Sequence, residues 1–198
     1  YNRLEYSRQT IENILKITTF PIELILVDNG SNKDLRDYLL SIKNKAQFPV
    51  KYVFSKRNLG ISGARNKGAL ASNQKSKALL FVDDDIILPN DYDRLIIEAI
   101  GKIKNVGVVG CCVEGTEYPI KKIDGVDVRI KSGNINGGCM AFSRNVWKRM
   151  GYFQTNFGKY FGDFIIHLSR MGSYRSRQYE FRLSDEVDMA LVNVLENF

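Results

Sequence analysis

The chain has 198 residues, 44% hydrophobic and 26% charged, with a formal net charge of +7. This is the composition of a globular domain; no apolar run approaches the ~20 residues of a membrane-spanning helix, and no signal-peptide pattern opens the sequence. Three cysteines without a CxxC pair form no disulfide framework, which fits a reducing compartment, and a single histidine, His167, leaves little for a zinc site, so any metal would be held by oxygen.

In chain order, Ile11, Ile14 and Leu15 give the first helical stripe. ELILVD (23–28) is an apolar strand ending in Asp-Asn-Gly-Ser. Leu35, Tyr38, Leu39 and Ile42 mark a second helix, with Ser31 placed to cap it. VKYVF (50–54), ALLFVD (78–83) and VGVVGCCV (106–113) read as further strands, and Leu95, Ile96, Ala99, Ile100 and Ile103 as another helix. Continuous apolar strands alternating with helices predict an α/β sandwich around a mostly parallel sheet covered on both faces. Such a sheet places a strand ahead of the first helix, so a first strand is expected before Tyr1, outside the sequence given.

Beyond residue 113 the pattern changes. EYPIKKIDGVDVRI (117–130) carries Asp-Gly between alternating segments, a hairpin or ordered-loop signal. NGGCMAFSR (136–144) reads as a strand, NVWKRMG (145–151) as a short helix closed by Gly151, and Val187, Ala190, Leu191, Val194, Leu195 and Phe198 as an amphipathic helix. The organisation expected is one domain over 1–198, with an α/β half at 1–113 and an irregular half at 114–198.

In open α/β sheets ligands bind beyond the carboxyl ends of the strands. Those ends carry Asp28-Asn29-Gly30-Ser31, Asn58-Leu59-Gly60 and Asp83-Asp84-Asp85. Three adjacent carboxylates raise one another's pKa unless a cation neutralises them. Mg²⁺ or Mn²⁺ does so with few protein ligands; the plain alternative is a solvated turn capping a helix. NLGISGARNKGA (58–69) adds Gly60, Gly63 and Gly68 and the fixed cation Arg65. The dispersed basic residues favour phosphate-bearing small molecules or anionic lipid over nucleic acid.

Taken in order, YNR, ELILVDNGS, NLGISGARNKGA, LLFVDDDIILP and GGCMAFSRNVWKRMGYF resemble the family 2 glycosyltransferases, inverting enzymes of the GT-A fold, over residues 1 to about 172. The resemblance implies an inverting, metal-dependent transfer of a sugar from a nucleotide-sugar donor, a UDP-sugar first, to a glycan or lipid-linked saccharide. It implies that Asp28 accepts a hydrogen bond from the base, that Tyr1 and Arg3 line base and ribose, and that Asn58 and Arg65 lie against the nucleotide. It gives Asp83 to the ribose and the metal, Asp85 to the metal, and Asp84 to the variable middle position of the DxD motif, counted with the nucleotide-binding set. The cofactor implied is Mn²⁺ or Mg²⁺.

The general base departs from the family pattern. Where relatives carry two or three acids, KYFGDFIIHLSRMG (159–172) has only Asp163, the catalytic candidate, which reads equally as a first-turn acid of a helix. His167 is taken as a helix-face residue. SYRSRQYEFR (173–182) would align Arg175, Arg177, Tyr179 and Phe181 on one strand face, for a diphosphate or as a solvated edge. The setting implied is cytoplasmic, in bacterial cell-surface polysaccharide synthesis, with peripheral contact at the inner face of a membrane allowed. The other functions weighed are a non-catalytic nucleotide-sugar-binding module and a nucleotidyltransferase.

Overall fold

The computed structural model describes residues 2–111, 119–129, 138–155 and 179–181. Within them the chain forms α1 (Leu4–Ile17), β1 (Leu24–Asp28), α2 (Lys33–Ser41), β2 (Val50–Phe54), α3 (Gly60–Ala71), β3 (Ala78–Val82), α4 (Tyr92–Lys102), β4 (Val108–Cys111), β5 (Ile120–Ile123), β6 (Val126–Arg129), β7 (Cys139–Ser143), α5 (Arg144–Met150) and β8 (Tyr179–Phe181).

Alternation along the strands sorts side chains onto two faces. Leu24 and Leu26, Ala78 and Leu80, and Cys139 and Ala141 join Ile11 and Ile14 of α1, Leu35 and Leu39 of α2, and Ile96 and Ala99 of α4. Their neighbours Ile25, Leu79, Phe81, Met140 and Phe142 join Ala69 of α3, Trp147 and Met150 of α5, and Phe153. Both faces are therefore covered by helices. This is why the strands read as unbroken apolar runs, and it makes the expected α/β/α sandwich. Phe81, Phe142, Trp147 and Phe153 meet at ring-centroid distances of 5.1–6.2 Å, within the range of favourable edge and tilted contacts.

The sheet is more mixed than the sequence implied. β1 pairs parallel with β2, and β4 with β8. β7, however, runs antiparallel between β3 and β4, and β6 is antiparallel to both β5 and β8. Apolar runs report burial on two faces and carry no information on strand direction. The Asp124-Gly125 hairpin forms as read, with φ of 47° and 84° at its two central residues. The cap of α2 is Asn32, whose side chain accepts from the Leu35 N–H, and not Ser31. Ser31 is taken up by the turn before it, where its N–H donates to Asp28.

The strands fall into two sheets, β1-β2 and β3-β7-β4-β8-β6-β5. Between β1 and β3 lies a cavity of about 220 Å³, walled by Ile25, Val27 and Phe81 and roofed by Ile11, Leu35 and Ile61. At the amino ends of the strands, buried Glu23 pairs with Lys51 and accepts from Asn73 N–H, and buried Arg144 donates to Asn73 O, Ser72 Oγ and Ser76. Apart from Arg144 Nη1, which is buried without a hydrogen-bond partner, those polar groups are satisfied within the protein. The carboxyl ends are arranged differently.

Candidate active site

β1 and β2 end side by side, and Ser55 N–H donates to Asp28 O. The Asp28 side chain is buried. Its Oδ1 accepts from Ser31 N–H at 2.7 Å and its Oδ2 from Arg36 Nε at 2.6 Å, while Arg36 Nη2 reaches Ser55 O at 2.8 Å. Between them the chain turns at Gly30. Its φ is +87°, and an added Cβ would stand 2.6 Å from the backbone carbon of Arg57, so only glycine fits. Asn29 ties this turn to the start of α3. Its Oδ1 accepts from Leu59 N–H, and its Nδ2 donates to Asn58 Oδ1 and Gly60 O. Asn58 Oδ1 also accepts from Gly60 N–H.

The acidic triplet follows β3 directly, and each carboxylate meets a cation. Asp83 Oδ1 accepts from Arg65 Nη2 at 2.8 Å. Arg3 Nη1 lies 3.2 Å from Asp84 Oδ1, and its Nη2 lies 2.6 Å from Asp85 Oδ2. Ser7 Oγ donates to Asp84 Oδ2 at 3.2 Å. Burial pushes the Asp83 carboxyl above its ordinary range; Arg65 opposes this, and the like charges of Asp85 and Asp84 add to it. Arg65 is itself buried, stacked 6.0 Å over Phe153. Asn66 holds the backbone that carries that ring by two hydrogen bonds, its Nδ2 donating to Phe153 O and its Oδ1 accepting from Phe153 N–H.

The cavity between β1 and β3 opens at this rim, where Asp28, Asn29, Ser31, Arg65, Asp83 and Asp84 replace the apolar walls. Among the described residues no three His, Cys, Asp or Glu side chains form a ready metal cage. The donors present are hard carboxylate oxygens on one turn. That set suits an ion that takes one or two carboxylates and completes its shell with water and substrate phosphates, as Mg²⁺ and Mn²⁺ do.

The family described as "Glycosyl transferase family 2" matches residues 1–175. The chain belongs to that family. An uncharacterized glycosyltransferase of Nostoc sp. is 30% identical over 138 residues, 69% of this chain and 39% of that protein. YwdF of Bacillus subtilis, also an uncharacterized glycosyltransferase, is 24% identical over 189 residues, 90% of this chain and 68% of that protein. Among solved structures, the mannosyltransferase PcManGT from Pyrobaculum calidifontis, in complex with GDP-Man and Mn²⁺, superposes with a TM-score of 0.67 at 16% identity, over 94% of this chain and 55% of that one. S. aureus TarS in complex with UDP gives 0.66 at 18% identity, over 96% and 57%. These likenesses show a GT-A fold. The chain spans about two fifths of the Nostoc protein and somewhat over half of each of the two solved structures.

For this family 2 chain, the rim brings together Asp28, Asn58 (through Asn29), Arg65, Asp83, Asp84, Asp85 and Arg3. Tyr1, Asp163, His167, Arg175, Arg177 and the 187–198 stripe lie outside the described residues, and for Tyr179 and Phe181 only the backbone of β8 is described. Sequence reasoning missed four groups. Arg36 is the half-exposed partner of buried Asp28. Ser7, Thr10 and Asn13 form a row on α1 that holds residues 84–88: Ser7 bonds Asp84, Thr10 Oγ1 accepts from Ile86 N–H, and Asn13 bonds both Leu88 N–H and Leu88 O. Their signal was visible as polar residues at i, i+3 and i+6 beside the Ile11–Ile14 stripe. No helix among the described residues is long and apolar enough to cross a membrane.

Proposed function

We propose that the chain transfers a sugar from a nucleotide-sugar, with a UDP-sugar the first donor to try, to a glycan or lipid-linked saccharide, with inversion at the anomeric carbon. The observation that carries this reading is the Asp83–Asp85 turn, set at the carboxyl end of a buried strand beside the Asp28 turn, with each carboxylate held by a cationic side chain. Family membership supports it, as do the GDP-Man with Mn²⁺ and the UDP bound by two structural relatives.

In this reading Asp28 shapes the base end of the site from beneath, through the turn it holds, and a base N–H reaching it would share its oxygens with Ser31. Tyr1 and Arg3 line the base and ribose, and Asn58 and Arg65 fix the nucleotide side of the α3 start. Asp83 meets the ribose, and Asp85, with Asp83, would hold the divalent ion. When bound, that ion stabilises the negative charge growing on the departing diphosphate. Arg65 keeps Asp83 in place throughout, because it is buried and cannot follow the ligand out. Asp163 takes the proton from the acceptor hydroxyl as its oxygen bonds to the anomeric carbon. The bond from that carbon to the diphosphate oxygen breaks, and its electron pair leaves with the nucleoside diphosphate.

Asp163→Asn tests the chemical step. Turnover of the nucleotide-sugar should fall by about 10²–10⁴-fold, the usual contribution of a positioned base, with donor affinity unchanged. Undiminished turnover would remove Asp163 from the role. The single acid in 159–172 keeps the binding-module reading in view; donor binding by the wild type without any turnover would select it.

A further inference from the structure

The two arginines on the acidic turn are held very differently. Arg65 sits within α3, is 7% exposed, and stacks over Phe153, whose backbone Asn66 pins. It is a permanent part of the wall. Arg3 precedes α1, in an irregular backbone conformation with φ −122° and ψ 56°, and makes no side-chain cap to the helix. Its side chain is 41% exposed, and its guanidinium lies 4.7 Å from the centre of the exposed Tyr6 ring. One planar fork thus spans Asp84 and Asp85 while resting on an aromatic face one turn away.

We propose that Arg3 is an exchangeable cation. It neutralises Asp84 and Asp85 while no ion is bound, gives up both carboxylates when a divalent cation arrives, and then turns its fork, still seated on Tyr6, to the diphosphate that the cation brings in. This rests on the reading of Asp83–Asp85 given above and adds a role for Arg3 to it. Three considerations favour exchange over a permanent pair. Both ion pairs are partly exposed, and such pairs are weakly held. A guanidinium fork matches two oxygens of a diphosphate as well as it matches two carboxylates. Stacking on Tyr6 keeps the group close after it lets go. Arg65 has a fork and an aromatic neighbour as well, but it is buried where Arg3 is exposed, so the two arginines separate into one fixed and one mobile partner.

The test is Mn²⁺ binding, read by loss of the free-ion electron paramagnetic resonance signal, for wild type, Arg3→Ala and Arg3→Lys. Without nucleotide, Arg3→Ala should bind Mn²⁺ on the order of 10-fold more tightly, the scale of two weak pairs released. Arg3→Lys should fall between, because an ammonium cannot bridge two carboxylates as a fork does. With saturating Mn²⁺, UDP affinity should move the other way and weaken in Arg3→Ala. Equal Mn²⁺ affinity in wild type and Arg3→Ala, including no binding by either without UDP, overturns the exchange, as does weaker Mn²⁺ binding in the variant. Failure of every protein to bind Mn²⁺ even with UDP overturns the metal reading of the turn, and the exchange with it.

Discussion

Asp85→Asn is expected to lower kcat/KM for the nucleotide-sugar by about 10²–10³-fold, the loss typical when one group that stabilises transition-state charge is removed. Folding stability should stay within about 1 kcal/mol of the wild type. The two expectations separate because Asp85 is partly exposed and its ion pair with Arg3 lies at the surface, where such pairs contribute little. Asp83 is a poorer probe of the same idea. Its carboxylate also holds buried Arg65, so its removal takes a partner from a buried charge and mixes a folding defect with a catalytic one. Steady-state kinetics with Mn²⁺, run beside a thermal melt, check both halves. Full activity in a well-folded Asp85→Asn protein would take Asp85 off the metal.

Asp28→Ala should destabilise the fold by about 2 kcal/mol, the scale of losing a buried charged acceptor from its hydrogen bonds with half-exposed Arg36 left to water, and lower Tm by roughly 4–8 °C in a chain of this size. Asp28 is 1% exposed, and it ties three pieces of chain together: its own strand end, the Ser31 turn and Arg36 of α2. Arg36 continues to Ser55 at the end of β2, so removing the carboxylate loosens both strand ends at the rim. Asp28→Asn should do less harm, because its amide oxygen still accepts from Ser31. A double-mutant cycle with Arg36→Met isolates the pair. A residue whose sole work was to accept a bond from a nucleotide base would leave Tm unmoved in the ligand-free protein, and that result would contradict the structural role.

Much of the frame was legible because burial writes itself into sequence. β2 occupies the residues read as VKYVF, β1 and β3 lie within one residue of their apolar runs, and the Asp-Gly hairpin turns where the positive φ demanded by its glycine requires. Strand direction was not legible. Cys139–Ser143 is as apolar as Ala78–Val82, so nothing in the residues told that one runs against the other. At the rim, the strand-end acids stood out because like charge after a buried strand is costly. Arg65 and Arg3 were named as site residues but not as the partners of these acids, and the remaining partners were not named at all. Arg36, Asn29 and the Ser7–Thr10–Asn13 row act through contacts that only folding creates, and Arg3 is 81 residues from Asp84 in sequence. A cation so remote carries no local signature, whereas a polar row on an apolar helix face does, and that row could have been read.

The central claim is that the Asp28 and Asp83–Asp85 turns together form a metal-assisted nucleotide site. Its most direct test is a thermal-shift comparison of UDP, GDP, dTDP and CDP, each with and without Mn²⁺. A ligand at 100 times its dissociation constant stabilises by about 2.7 kcal/mol, which is roughly 5–10 °C here. The account predicts a shift of that size with one nucleotide, seen only when Mn²⁺ is present. No shift with any nucleotide, or a full shift without metal, would contradict it.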